Sequence, residues 1–314
     1  MFIDLHTHGI AGYDTRSVVP EDYLKMAEAM KAHGTGAFVP TLFPGPVADM
    51  RAQMAAVKAA IEAQRRISPS PSSPPIKGGE KNGIPSPLAG EGEGGGDYAR
   101  ILGVHLEGPF VNPKKEGALG GANFIPPTDD NLSRLVEGFE DIIRIMTIAP
   151  ELPGALKLIE RLSCMGVRVN MGHSDATYAQ AADGRRAGAT GVTHLFNAMS
   201  GIHHREPGLA GYAMADDALY VEVIADFAHV SPEMLRLVLK CKQPGRIILV
   251  SDSLGPAKTK GVPEKGPMYM PDGTTLAGSG ICLTDAVENI ASLGVPLETA
   301  RLFASVNPQN YLKG

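Results

Sequence analysis

The chain has 314 residues, 43% of them hydrophobic and 20% charged, with a formal net charge of −5. It has enough apolar residues for a large core, and the mild negative charge gives no reason to expect a nucleic-acid or membrane partner. The length suits two average domains or a single α/β barrel, a fold of ~250 residues.

The three cysteines, Cys164, Cys241 and Cys282, stand far apart with no CxxC spacing. This points to a reducing compartment and to neither a disulfide framework nor a zinc knuckle. The chain opens directly on MFIDLHTHG, which leaves no room for a signal peptide. No later apolar run approaches the ~20 residues of a spanning helix, so a cytoplasmic location is expected.

In chain order the first strand-like run is Phe2–Leu5. A helix follows over Glu21–His33, with Gly34 placed as its C′ residue. The second strand is Ala37–Pro40, and a longer helix runs from Val47 to Arg66. Pro46 stands at its start, and Met50, Met54, Val57 and Ile61 share one face.

The stretch Ser68–Gly96 then breaks the pattern. It holds 6 prolines and 8 glycines among 29 residues and has almost nothing to bury. It is expected to be a disordered insertion at the bottom of the fold, where length costs little closure entropy.

Strand runs continue at Ile101–Leu106, Ile142–Ile148, Val167–Met171, Gly191–Thr193, Tyr220–Ala225 and Arg246–Val250, with helices expected over Leu152–Met165 and Pro232–Leu239. The strands are β-branched and almost continuously apolar, as strands buried on both faces should be. Strand–helix alternation repeated eight times predicts a (β/α)8 TIM barrel, read as one domain over residues 1–314.

Six metal-capable residues stand at the carboxyl ends of these runs. They are His6 and His8 in FIDLHTHG, Glu107 in GVHLEGPF, His173 in VNMGHSD, His194 in GVTHLFNAM and Asp252 in IILVSDS. In a parallel barrel all strand C-termini open onto one rim, so these side chains converge. The HxH spacing turns both imidazoles to the same face of a strand. Neutral nitrogens with anionic oxygens suit a divalent metal that keeps a position for water, and the pattern predicts a metal-dependent hydrolase. His105 receives no role, and His203 and His204 are expected to meet substrate, a neighbouring subunit or solvent.

The ordered phrases HxH, HLEGPF, GHSDA, THLFNAM, REPG and SDS resemble the amidohydrolase superfamily, and within it the N-acetylglucosamine-6-phosphate deacetylase family. The resemblance covers most of the chain outside Ser68–Gly96. It implies that Glu107, His173 and His194 hold a principal metal, with His6 and His8 completing a second site that Glu107 bridges. Zinc is the first expectation, and iron and manganese accept the same ligands.

The resemblance further implies Asp252 as catalytic general acid and base and His229 in IADFAHV as a catalytic and substrate-binding histidine. Asn197, Ala198 and Arg205 would hold the sugar phosphate. The implied reaction is release of acetate from N-acetylglucosamine 6-phosphate by a metal-bound hydroxide, in a homodimer.

Three departures bear on this. The small β-sandwich usual in the family is expected to be missing, Leu119 stands where a sugar-contacting histidine is common, and Phe227 replaces a small residue and is expected to narrow the pocket. These leave two other readings open. One is an amidohydrolase for a different N-acyl or cyclic amide, and the other is a truncated barrel of little or no activity.

Overall fold

A computed structural model describes residues 1–67, 97–260 and 266–314; the expected disordered insertion at 68–96 lies outside them. Eight parallel strands follow one another in chain order around a barrel: β1 (Phe2–Thr7), β2 (Thr35–Leu42), β3 (Val104–Glu107), β4 (Ile143–Ile148), β5 (Arg168–Met171), β6 (Gly191–Val192), β7 (Tyr220–Ile224) and β8 (Ile247–Val250). The seam between β8 and β1 is joined by Asp252 N–H to His6 O and His8 N–H to Ser253 O, both at 2.8 Å. The expected (β/α)8 architecture is therefore observed.

The strands are buried on both faces, which explains their unbroken apolar character. Inward-facing Ile3, Leu5, Val39, Ile145, Ile248 and Val250 form an inner core. The outward faces pack against a ring of helices in a second, larger core. The helices are α1 (Pro20–Ala32), α2 (Val47–Ile67), α3 (Asp129–Val136), α4 (Ala155–Cys164), α5 (Tyr178–Arg186), α6 (Gly208–Ala215), α7 (Pro232–Cys241), α8 (Leu283–Ser292), α9 (Leu297–Ala304) and α10 (Val306–Lys313).

Their boundaries follow local chemistry. In α1, Pro20 opens the helix, Glu21 and Asp22 occupy its first turn, and Tyr23, Met26, Ala27 and Met30 form the buried stripe. Gly34 adopts φ 86° just beyond it. In α2, Met50, Met54, Val57 and Ile61 face the core as expected. The expected helix from Leu152 begins only at Ala155, because Gly154 takes a left-handed conformation at the N-cap.

Six helices were not anticipated. α3 and α5 are short but announced by caps: Thr128 accepts from Asn131 N–H, and Thr177 with Gln180 forms a capping box. α6, GLAGYAMA, is apolar all round and has no helical stripe to detect. The trio α8, α9 and α10 follows the last barrel strand, and Tyr311 of α10 inserts its side chain into the inner core.

One expected strand, Ile101–Leu106, is two pieces. Arg100–Ile101 pairs with β2, and β3 starts afresh at Val104. Gly103 between them has φ 142°, and a Cβ there would lie 2.2 Å from the Ile142 carbonyl oxygen and 2.6 Å from Arg144 Cγ. Only glycine makes this step, which sets the register of β3 and hence the position of Glu107 at its end. Gly103→Ala is expected to cost roughly 2–4 kcal/mol through strain and displacement of the neighbouring strand, read as a lowered urea midpoint.

Candidate metal centre

The barrel brings all six candidate ligands to its C-terminal rim. His6 lies within β1 and His8 just beyond it, Glu107 is the last residue of β3, and His173, His194 and Asp252 each stand two residues beyond β5, β6 and β8. Every one of them is buried. His173, His194 and Asp252 have positive φ, at 46°, 29° and 49°. Side chains other than glycine rarely adopt that region, and such strain clusters where structure serves a site.

The ligand atoms form two groups with Glu107 between them. Glu107 Oε1 is 3.0 Å from both His173 Nε2 and His194 Nε2, which are 3.1 Å apart. Glu107 Oε2 faces the other group, 3.1 Å from His8 Nε2. Asp252 Oδ1 lies 3.4 Å from the Nε2 atoms of both His6 and His8. Those two nitrogens are 3.3 Å from each other.

The imidazoles are aimed by their far nitrogens. His6 Nδ1–H donates to Glu222 Oε2 at 3.2 Å, His8 Nδ1–H to the Thr41 carbonyl at 2.9 Å, and His173 Nδ1–H to the Lys115 carbonyl at 2.8 Å. Since those acceptors have no proton to give, each ring keeps its proton on Nδ1 and turns Nε2 into the site, where it carries either a second proton or, once that is lost, a lone pair for a metal. Phe43 stacks on His8 at 3.8 Å between centroids and holds the ring's plane.

The electrostatics favour a cation here. Burial pulls the His6 pKa down, but the charges of Glu107 and Asp252 outweigh it and hold it well above its ordinary value. Burial likewise opposes the rise at His8, which hydrogen bonding to Asp252 and Glu107 overcomes. In turn, burial pushes Glu107 up, yet the His6 charge and the bonds from His173 and His194 keep it well below the usual carboxylate range. Glu107 Oε2 makes no well-aligned hydrogen bond despite its burial. A buried anionic oxygen in that state, ringed by imidazole Nε2 atoms on a site that favours positive charge, fits a divalent ion that takes the place of the protons.

A cavity of about 180 Å³ opens above the ligands and is lined by Leu119, Asn197, Ala198, His229, Leu276 and Ala277 among others. Asn197 Nδ2–H reaches the His194 carbonyl at 3.2 Å. Phe227, expected to narrow the cavity, does not line it; it packs against the outer core instead. Arg205 also stands apart from the cavity lining, on an exposed loop, with its guanidinium 2.7 Å from His204 Nε2.

Sequence reasoning missed the support behind His229. Its Nδ1–H donates to Asp226 Oδ2 at 2.7 Å, and Asp226 Oδ1 accepts the backbone N–H groups of Ala228 and His229. Burial lowers the His229 pKa, but the bond to Asp226 and its charge outweigh this and raise it. The signal was present, because Asp226 directly follows the seventh apolar run, Tyr220–Ala225, much as Asp252 follows the eighth.

A closed parallel barrel with four imidazoles and two carboxylates on its C-terminal rim is an amidohydrolase fold. No family model matches the chain. It is 32% identical to the N-acetylgalactosamine-6-phosphate deacetylase of Escherichia coli O157:H7, over 100% of this chain and 72% of that one. It is 31% identical to the N-acetylglucosamine-6-phosphate deacetylase of Vibrio furnissii, over 99% of this chain and 72% of that one. A mutant of N-acetyl-D-glucosamine-6-phosphate deacetylase from Mycobacterium smegmatis, solved in complex with N-acetyl-D-glucosamine-6-phosphate, superposes with a TM-score of 0.82 at 29% identity, covering 99% of this chain and 77% of that one. The chain belongs to the N-acetylglucosamine-6-phosphate deacetylase family of the amidohydrolases.

Because Glu107 faces both groups, Glu107→Gln is expected to strip most bound metal. His8→Ala should spare the ion held by Glu107, His173 and His194 and lower only a second equivalent. Elemental analysis of the purified proteins reads the difference.

Proposed function

We propose that this protein is a metal-dependent hydrolase that removes acetate from N-acetylglucosamine 6-phosphate. The single observation that supports it most is that Asp252 and His229 line the same cavity as the convergent ligands, so acid–base and oxyanion-stabilising groups border one reacting position. Glu107, His173 and His194 would hold a principal ion, and His6 and His8 a second shared with Glu107 and Asp252. We take the ion to be zinc, with iron or manganese acceptable to the same donors. When bound, the ion lowers the pKa of water and polarises a carbonyl.

An amide is a poor electrophile with a poor leaving group, and the chain's own residues answer both difficulties. Asp252 takes a proton from the attacking water and delivers it to the departing amine nitrogen, so that acetate and the free amino sugar leave. Burial pushes the Asp252 carboxyl up, but the charge of His6 and the hydrogen bond from His8 hold it below its ordinary value, which keeps its carboxylate in the accepting form. His229, anchored through Nδ1 by Asp226, presents Nε2 to the oxygen that gains charge.

Asn197 and Ala198 border the sugar, and exposed Arg205 offers a two-pronged donor to the phosphate as it enters from solvent. Leu119 lines the cavity and supplies an apolar wall on the sugar side. The reading extends to a single barrel over 1–314 working as a cytoplasmic homodimer. Among the described residues no helix is long and apolar enough to cross a membrane.

The similarity to an N-acetylgalactosamine-6-phosphate deacetylase favours one second reading, the 4-epimeric sugar phosphate. Acetate release from both sugar phosphates and from unphosphorylated N-acetylglucosamine distinguishes these. Turnover of N-acetylglucosamine 6-phosphate well above the other two supports the proposal, a preference for the galactosamine form supports the second, and no turnover by metal-loaded protein overturns both. Asp252→Asn should lower kcat by about 10²–10⁴ with thermal stability kept.

The Asp226–His229 pair adds a pH signature. Removing the carboxylate lets burial act more strongly on His229 and lowers its pKa. In Asp226→Asn the alkaline limb of the kcat profile should therefore move to lower pH, while an unchanged profile would remove the protonated His229 from the reaction.

A further inference from the structure

A third cluster of ligand-capable atoms, His6, His105 and Glu222, lies in the buried interior of the barrel beside the rim site. It is a support layer and not another ion site, because its atoms are already engaged. His105 Nδ1–H donates to the Leu5 carbonyl at 3.1 Å, and its Nε2 meets the Thr147 hydroxyl at 2.8 Å. Glu222 Oε2 accepts His6 Nδ1–H, and Glu222 Oε1 accepts Asn170 Nδ2–H at 2.7 Å.

The chain of bonds continues to the far end of the barrel. The carbonyl oxygen of the Asn170 side chain accepts the Tyr311 hydroxyl, which accepts from Thr190 Oγ1–H at 3.2 Å. Every donor in this row points toward the Glu222 carboxylate. Glu222, Asn170, His6 and Tyr311 are all buried, at 2% exposure or less, so no water competes for these bonds. Gly191 leaves the space for it: a Cβ there would sit 2.3 Å from Asn170 Oδ1 and 2.8 Å from the Tyr311 hydroxyl.

Resting on the metal-centre reading above, we infer that Glu222 is a positioning residue for the ligand His6, held in place by Asn170 and by Tyr311 of the C-terminal helix α10. A carboxylate behind a ligating imidazole fixes its tautomer and ring orientation and raises the basicity of the facing nitrogen, and losing such a partner typically costs 10–100-fold in metal affinity. The closing helix at the bottom of the barrel is thereby coupled to the second ion position at the top. The coupling runs from Tyr311 through Asn170 and Glu222 to His6.

Titrating the metal-free protein with Co²⁺ tests this, since affinity and the visible absorption of the bound ion are read together. Glu222→Gln should weaken the His6-containing position by about 10–100-fold and alter its absorption, while the equivalent held by Glu107, His173 and His194 is retained. Tyr311→Phe, a milder change that keeps the ring, should shift the same position in the same direction by less. Gln64→Met, which breaks buried bonds to the Ala99 carbonyl and the Ile101 amide and touches none of these side chains, is the structural control and should leave both equivalents as they were. Unchanged affinity and absorption in Glu222→Gln, or an equal change in Gln64→Met, would overturn the positioning role. Absence of any Co²⁺ binding by the unaltered protein would overturn the metal centre and the positioning role with it.

Discussion

Four imidazole nitrogens and two carboxylates crowded within hydrogen-bond distance in a buried pocket are the constraint on which the rim of this barrel depends. Each group alone would be costly to bury, since a desolvated carboxylate loses several kcal/mol of hydration. Together they balance only if positive charge sits among them. Lone pairs 3.1 Å apart on His173 and His194 repel one another unless a proton or a metal ion lies between. The arrangement holds because the rest of the molecule does not let the rings turn away.

That restraint comes from two directions. From behind, the carbonyls of Thr41 and Lys115 and the Glu222 carboxylate occupy three Nδ1 positions. From the backbone, the left-handed conformations at His173, His194 and Asp252 turn each side chain inward just after its strand has ended. A residue still in the strand would alternate in or out with the pleat, whereas a residue two positions beyond the last pairing is free to be re-aimed. The conformational cost of three such residues, of order 1–3 kcal/mol each, is borne by the barrel's two cores.

Much of this was legible in the sequence because the barrel converts one-dimensional order into convergence. Eight buried strands show up as apolar runs, and a polar residue just past each run's end is conspicuous, as with Glu107 and Asp252. What escaped falls into three physical kinds. Gly103 hid a break inside an apolar run, since burial on both sides reads the same whether or not the strand is continuous. Helix α6 is apolar even at its half-buried and exposed positions, Tyr212, Met214 and Ala215, and so carries no amphipathic stripe. The supports Asn170 and Glu222 lie inside strands, where a lone polar residue in VRVNM or YVEVI signals burial with a partner but does not say which partner. Partner identity depends on the barrel's curvature, which brings β1, β5 and β7 within reach of one another across its interior.

Under the proposed function, the same geometry separates what would bind the ion from what would select the substrate. All six candidate ligands are buried and three of the four imidazoles are braced through Nδ1, while Arg205 stands on an exposed loop and Asn197 spends its amide on neighbouring carbonyls. Tight bracing suits groups that must hold charge at fixed distances throughout a reaction. A phosphate needs less, because a guanidinium on a mobile side chain finds a dianion by long-range attraction and closes on it with two parallel bonds. On that proposal, changes at Arg205, Leu119 or the Leu276–Ala277 wall would alter substrate preference without touching the candidate ligands. Changes at Glu222 or Tyr311 act on the metal centre itself, although neither touches the cavity in which the substrate would lie.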